Sequence, residues 1–236
     1  MLLDYEIDEK VAIITMNSGE NRFNPDFLAA FHDILDKVEQ TTEAQTIIIK
    51  SAHEKIFSNG LDLDWLVPTL KEQKLEEVKD YFYNLNKLFI RIITYPMITI
   101  AAITGHVFAA GAIFACAFDF RFMRSDRGYF CLPEVDLGIP FLPGMIALLG
   151  KGIPSYKFEE LTYTGCRLTA MDCEKHHIIT KAYPLDELLK ETLGFAKGLN
   201  KQRSTVVEIK KRMNNKIVRA LEVEDVPYIE SGKYNY

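Results

Sequence analysis

A single carboxylate stands out in a stretch of the chain that is otherwise poor in charge. Glu134 lies between Pro133 and Val135, in a run from Gly105 to Pro140 that opens with a glycine-containing turn. The helix after this turn is apolar on every side, so it must be buried. Backbone amides in the first turn of a helix lack intrahelical partners and can bind a developing oxyanion. An acid near such amides suits proton transfer beside a carbonyl group.

A second passage of the same kind lies earlier in the chain. The run FSNGLDL (57–63) leaves a strand through small residues and enters a helix, as GHVFAAG (105–111) does. Either passage alone is more often a plain structural turn. Two of them with a candidate base downstream favour an oxyanion hole built from two backbone donors, each typically worth roughly 3 kcal/mol of barrier.

Three motifs together resemble the crotonase (enoyl-CoA hydratase/isomerase) superfamily: SNGLDL at 58–63, GHxxAAG at 105–111 and PEVDLG at 133–138. The resemblance runs from about residue 3 to about residue 200. It implies an α/β fold, a crotonase-like spiral of ββα units with a helical C-terminal extension, which binds an acyl-CoA thioester. It also implies that the amides of Leu61 and Ala110 hold the thioester oxygen. Contacts to substrate or coenzyme A are assigned by resemblance to Ser58, Asn59, Gly60, Leu61 and Gly111.

The acids indicate which reaction the resemblance favours. Hydratases of the superfamily use two glutamates; this chain has Ile113 at the first position and keeps Glu134 at the second. One base suffices to remove a proton at C2 and return it at C4, because the oxyanion stores the charge in between. The pattern predicts a Δ3,Δ2-enoyl-CoA isomerase, with the pKa of Glu134 raised by the apolar neighbours Leu132, Val135 and Ile139.

Other functions stay open on this evidence. The same fold serves other acyl-CoA reactions, such as hydration, thioester hydrolysis or decarboxylation, and a crotonase-like chain could also bind coenzyme A esters without turnover. Coenzyme A enters as part of the substrate, so no separate cofactor is expected. Arg22 and Lys55 are candidate partners for its phosphates, or else solvated loop charges. Four residues of one long helix either line an acyl tunnel or pack the core: Tyr81, Phe82, Leu85 and Phe89.

The remaining acids are interpreted as structural. Asp62 is expected to hold the first turn, and Asp136 to hydrogen-bond within its loop. Asp119 ends the apolar helix, where a buried salt bridge with Arg121 or Arg124 is expected.

Three histidines are candidate functional groups. His106, in the second turn, is expected to pack rather than to contact substrate. His176 and His177 are adjacent and cannot both face one metal, so no metal site is predicted. His177 is expected in the left-handed conformation at the end of a helix.

The helices and strands that must position these residues are predicted from hydrophobic periodicity and from residues that start or end helices. Residues 3–16 predict a hairpin, and Asn24-Pro25 predicts a helix start. A strand is expected at 46–50, a long amphipathic helix at 72–93 and a buried strand at 97–104. After Pro140 only helices are expected, and the segment 222–236 is expected to be loose. We place a core at 1–200 and a C-terminal helical extension at 201–236, which the resemblance associates with trimerisation.

The composition of the chain argues against two classes of binding partner, nucleic acids and membranes. The formal net charge of −5 argues against general nucleic-acid binding, and no apolar run is long enough for a membrane span. The acidic first ten residues are unlike a presequence, and the last three are not a peroxisomal address, so a cytoplasmic location is expected. The four cysteines form no CxxC pair and are expected to be reduced. A homotrimer or hexamer is expected from the resemblance alone.

Overall fold

The structure is a computed structural model of the protein, and it describes residues 1–233. Its strands are β1 (Leu3–Asp8), β2 (Val11–Met16), β3 (Thr46–Ser51), β4 (Ile56–Ser58), β5 (Ile98–Ile103), β6 (His106–Phe108), β7 (Phe120–Arg124), β8 (Phe130–Cys131), β9 (Arg167–Leu168) and β10 (Lys181–Tyr183). Its α-helices are α1 (Pro25–Thr41), α2 (Leu63–Lys71), α3 (Leu75–Ile93), α4 (Ala110–Ala117), α5 (Glu134–Leu137), α6 (Pro143–Gly152), α7 (Ser155–Thr164), α8 (Ala170–Lys175), α9 (Leu185–Lys197), α10 (Arg203–Arg219) and α11 (Val226–Glu230). A π-helix spans Ala220–Glu224.

Two sheets are filled alternately as the chain advances. The larger has the order β1-β2-β3-β5-β7-β10, and the smaller has the order β4-β6-β8-β9. The pairs β3–β4, β5–β6 and β7–β8 each place one strand in the large sheet and the next in the small one, and each pair leads into a helix. This repeat confirms the predicted spiral of ββα units. Because β4, β6 and β8 are parallel neighbours, the segments that follow them emerge at one edge of the small sheet.

Helix α4 lies at the centre of this arrangement, and all eight of its residues are buried. The predicted helix start is also confirmed, because the Asn24 side chain accepts the amide of Phe27 at 2.9 Å and Pro25 occupies the first turn of α1. The β1–β2 hairpin is antiparallel in full register from Leu3–Met16 to Asp8–Val11.

The sequence-based predictions were wrong in two parts of the C-terminal third. Two short strands, β9 and β10, follow Pro140, and β10 extends the large sheet beside β7. The segment expected to be loose instead forms the π-helix and α11, where Ile229 is completely buried. Helix α10 begins near the predicted boundary, but the division at residue 200 stays a prediction. Residues 234–236 of the predicted extension lie outside the described part of the chain.

Candidate active site

The first turn of the site leaves β4 and enters α2 through Gly60, whose φ is +80°. A Cβ on Gly60 would stand 2.8 Å from the amide nitrogen of Ala110, so the two turns approach as closely as glycine allows. The Ser58 hydroxyl accepts the Gly60 amide at 3.2 Å and donates to the Asn21 carbonyl at 2.7 Å. These contacts fix the turn that presents the amide of Leu61.

The second turn leaves β6 and enters α4 through Ala109. Its φ of 52° and ψ of −131° form a conformation that costs a residue with a Cβ about 1–3 kcal/mol. Gly111 packs against the first turn, since a Cβ there would lie 2.6 Å from the Ser58 carbonyl oxygen. The strained backbone therefore leads directly into the amide of Ala110, the first residue of α4.

The amides of Leu61 and Ala110 are both unpaired. Neither donates to another protein group within residues 1–233, and both residues line the same cavity. Ala110 also carries part of the positive end of the α4 dipole. Two adjacent free donors at one cavity have the chemistry of an oxyanion hole.

Glu134 opens helix α5 and lines this same cavity. The residue is 7% exposed, and its Oε2 atom is buried without a hydrogen-bond partner among the described residues. Burial raises the pKa of Glu134 to about 7, against a smaller lowering by the hydrogen bond from its own amide. The predicted direction of the pKa shift is confirmed, although Val135 is 46% exposed and adds little to the burial. Such a carboxyl group can both accept and release a proton near neutral pH.

The cavity has a volume of about 520 Å³, and its walls are largely apolar. Ile113 lies on the α4 side, and Phe82 and Met145 add buried side chains from α3 and α6. Of the four long-helix residues considered for an acyl tunnel, Phe82 lines the cavity. The other three pack in the hydrophobic core: Tyr81, Leu85 and Phe89.

Charged side chains line the exposed mouth of the cavity. Arg22 pairs there with Glu20 at 2.6 Å and with Asp64 at 2.7 Å, and Asn59 lies on the same wall. The predicted phosphate partner Arg22 is therefore at the cavity, already bound to two carboxylates. Lys55 is exposed and is not among the lining residues of the described chain.

Not every residue assigned by resemblance reaches the cavity surface. Asn59, Leu61 and Ala110 line it, whereas Ser58, Gly60 and Gly111 are buried in the contact between the two turns. The structure gives these three a role in bringing the turns together. Direct contact of Ser58, Gly60 or Gly111 with a substrate stays a prediction.

The two remaining loop acids differ from one another. Asp62 occupies the N-cap position of α2 without a side-chain capping bond, and its carboxylate accepts a hydrogen bond from the Asn24 side chain at 2.9 Å, which confirms that it holds the first turn. Asp136 is exposed and packs over Gly165; within the described chain its side chain accepts no hydrogen bond, so the predicted loop contact is absent.

The predicted salt bridge of Asp119 exists with a different partner. Lys210 on α10 donates to its carboxylate at 2.8 Å. Arg121 instead donates to backbone carbonyl groups, and Arg124 pairs with Asp126. The bond ties α10 to the end of α4, and a separation of 91 residues hid it from local sequence patterns.

His106 and His177 show the packing and the backbone conformation that were predicted for them. His106 packs against the rings of Phe108 and Tyr129, with centroids 5.2 and 5.6 Å away. His177 has a φ of 56°, which confirms the left-handed conformation. Across residues 1–233 no group of three or more potential ligand side chains could hold a metal ion, and no helix there is long and apolar enough to cross a membrane.

Sequence reasoning missed one part of the cavity wall. Tyr228, Ser231 and Lys233, in and just after α11, line the cavity from the C-terminal side. Pro227 in the first turn of α11 and the apolar pair Val226 and Ile229 were the available signal for this helix.

Comparison with known proteins gives consistent results. The family model described as "Enoyl-CoA hydratase/isomerase" matches residues 6–229. Enoyl-CoA delta isomerase 3 of Arabidopsis thaliana is 31% identical over 69% of this chain and 68% of its own length. Peroxisomal enoyl-CoA delta isomerase 1 of the same plant is 31% identical over 91% of this chain and 88% of its own length.

Solved structures share the fold. An enoyl-CoA hydratase/isomerase family protein from Pseudomonas syringae superimposes with a TM-score of 0.89 at 22% identity, covering 98% of both chains. The human mitochondrial Δ3,Δ2-enoyl-CoA isomerase gives a TM-score of 0.89 at 20% identity, covering 98% of this chain and 90% of its own.

Proposed function

The chain belongs to the enoyl-CoA hydratase/isomerase family, and on this premise we propose that it is a Δ3,Δ2-enoyl-CoA isomerase. Its substrate is an acyl-CoA thioester with a double bond between C3 and C4, and its product has the double bond between C2 and C3. The observation that carries the proposal is one buried carboxyl group, Glu134, whose Oε2 has no hydrogen-bond partner among residues 1–233. Its cavity also holds two amides that are unpaired within these residues, and the apolar Ile113.

The proposed reaction moves one proton. The ionised Glu134 removes a proton from C2, and the electron pair delocalises onto the thioester oxygen to give a dienolate. The amides of Leu61 and Ala110 stabilise that oxyanion. Glu134 then returns the proton to C4, and the double bond forms between C2 and C3. No electrons leave the substrate, so the chemistry requires no cofactor besides the coenzyme A that the substrate carries.

The carboxyl groups that line the cavity favour isomerisation over hydration. Hydration must position and deprotonate a water molecule while it protonates the α-carbon, which calls for two acid–base groups. The carboxylates among the described lining residues are Glu134 and Asp64, and Asp64 is 89% exposed at the mouth, where it pairs with Arg22. Glu134 alone is therefore free for proton transfer, and Ile113 offers none.

A spectroscopic assay tests the proposal. The purified protein is mixed with a 3-enoyl-CoA, and the ultraviolet band of the conjugated 2-enoyl thioester is followed. Growth of the band supports isomerisation. Loss of the band from added 2-enoyl-CoA would instead indicate hydration. If neither signal changes while the ester binds tightly, the chain is a coenzyme A ester binder and the proposal is wrong.

We also propose that the protein self-associates, as a homotrimer or hexamer. Support comes from exposed apolar side chains on the C-terminal helices, where Ile209, Met213 and Val223 are 51%, 75% and 57% exposed. Sedimentation at several concentrations tests this, and Met213→Asp should shift the population toward monomer. A cytoplasmic location stays a prediction, since named relatives include a peroxisomal protein.

A further inference from the structure

A second buried carboxyl group, Asp225, lies where three elements of the cavity wall meet. Its Oδ1 accepts the amide of Gly144 on α6 at 2.7 Å, and its Oδ2 accepts the Asn86 side chain on α3 at 2.8 Å. The Asn86 side chain also donates to the Leu221 carbonyl in the π-helix at 3.0 Å. Asp225 itself connects the π-helix to α11. One carboxylate thus joins α3, α6 and the C-terminal segment.

Each of these elements supplies a side chain to the cavity. Asn86 lies four residues after Phe82 on α3, and Gly144 is next to Met145 on α6; both Phe82 and Met145 line the cavity. The junction is tight, because a Cβ on Gly144 would lie 2.6 Å from the Asp225 carboxylate. Movement at this junction would therefore move the cavity wall.

The lining residues of the cavity differ in polarity. Arg22, Asp64 and Lys233 are charged and partly or fully exposed, whereas Phe82 and Met145 are 1% and 6% exposed and apolar. The charged coenzyme A moiety fits the mouth, and an acyl tail gains most by burial against the apolar end. This orientation rests on the proposed function, in which the ligand is an acyl-CoA.

We propose that Phe82 and Met145 form the floor that limits the length of the acyl chain, and that Asp225 is the positioning residue that holds this floor in place. Asp225 touches no substrate. It acts through the two helices that carry the floor residues, which its carboxylate binds from behind.

The charge state of Asp225 adds a readout that a passive structural group would lack. Burial raises its pKa to about 6, the hydrogen bonds from Gly144 and Asn86 lower it by less, and Glu224 on its own turn raises it slightly. Glu224 is in turn within 3.9 Å of Arg219. Toward pH 5 the carboxyl group becomes neutral, which is the form that burial favours, so the closed junction is more stable there than at pH 8. The floor should then be tighter at pH 5 than at pH 8 in the wild-type protein.

The test measures binding, not turnover, so that it does not depend on isomerase activity. Affinities for two saturated esters, butanoyl-CoA and dodecanoyl-CoA, are measured by titration calorimetry. The ratio of the dodecanoyl-CoA affinity to the butanoyl-CoA affinity is then compared between variants. Met145→Ala should favour the long ester about tenfold by lowering the floor. Asp225→Asn should favour it about threefold by weakening the junction.

The control is Glu174→Gln on α8. Glu174 accepts the amide of Ala182 at 2.8 Å and pairs with Lys181, and it contacts neither α3 nor α6 through these bonds. The affinity ratio of this variant should equal that of the wild type. In the wild type the preference for dodecanoyl-CoA over butanoyl-CoA should fall from pH 8 to pH 5, and in Asp225→Asn it should not depend on pH.

Three results would overturn the inference: an unchanged ratio in Asp225→Asn, an equal shift in Glu174→Gln, or a pH-dependent ratio that survives Asp225→Asn. Circular dichroism and the melting temperature verify that each variant is folded, and Met145→Ala tests the floor separately. If esters bind with the expected ratios but no double bond moves, the proposed reaction fails while the floor stands.

Discussion

Glu134 and Asp225 are both buried carboxyl groups, and their hydrogen bonds differ. Burial raises the pKa of both, to about 7 and about 6. Both oxygens of Asp225 accept N–H donors, whereas Oε2 of Glu134 has no partner in the described chain. A raised pKa alone therefore does not identify a working acid. The unpaired oxygen beside a cavity does, because a native structure rarely leaves a buried polar atom unsatisfied without a use for it.

The two acids also differ in what their surroundings hold fixed. Asp225 joins helices to one another and leaves no room for a ligand. Glu134 shares its cavity with the paired turns around Gly60 and Ala109, and the backbone is strained at Ala109. The reactive site has strained backbone beside its acid, Glu134. At the structural acid, Asp225, both carboxylate oxygens are hydrogen-bonded.

The largest effect should come from removing the working acid. Glu134→Gln keeps the size of the side chain but cannot take up a proton, so isomerase turnover should fall about 10²–10⁴-fold. Asp225→Asn should keep the turnover of a short 3-enoyl-CoA within a few-fold. Initial rates at saturating substrate compare the two. Similar losses in both variants would end the distinction between them.

The next largest effect should come from the amides that Glu134 depends on. Gly60→Ala would place a Cβ 2.8 Å from the Ala110 amide nitrogen and separate the two turns, so turnover should fall about 10²–10³-fold. Gly19→Ala is the matched control, because its φ is +56° but no atom lies within 4 Å of the added Cβ. That control should lose some stability and retain its turnover; an equal loss of turnover in both variants would refute the oxyanion assignment.

Part of this site could be predicted from the sequence and part could not. The motifs located Glu134, the two turns and the raised pKa, because strand–turn–helix chemistry is encoded within a few adjacent residues. The helix start at Asn24 was predictable for the same reason.

What the sequence did not reveal depends on distance along the chain. The partner of Asp119 is 91 residues away, and Asp225 meets Asn86 across 139 residues. Strands β9 and β10 have two and three residues, too few for a periodic pattern. Helix α11 is only five residues long, and its position in the cavity wall follows from tertiary packing.

The pH dependence of the free energy of unfolding should distinguish the two acids, because each carboxyl group titrates in a different pH range. A folded-state pKa above the unfolded value means that the neutral form is favoured on folding, so this stability is present at low pH and lost as pH rises. For Glu134 the window runs from 4.5 to about 7. Relative to the wild type, Glu134→Gln should gain about 3 kcal/mol between pH 4 and pH 8.

The corresponding change in Asp225→Asn should fall in the lower window from 3.8 to about 6. Urea unfolding of both variants and the wild type at closely spaced pH values measures the two windows. Coincident windows, or a gain for Glu134→Gln that does not depend on pH, would contradict the assigned pKa values.

The smallest effect should appear in the pH dependence of the wild-type rate. The free enzyme must hold Glu134 ionised before it can remove the C2 proton, and the pKa of that group is about 7. For a short-chain 3-enoyl-CoA, kcat/KM should therefore lie about tenfold below its plateau at pH 6 and should level off above pH 8. Asp225 titrates lower and touches no substrate, so Asp225→Asn should reproduce this profile. If the profile of that variant moved instead, the acid that controls catalysis would be Asp225, and the contrast between a paired and an unpaired carboxylate would have been drawn the wrong way round.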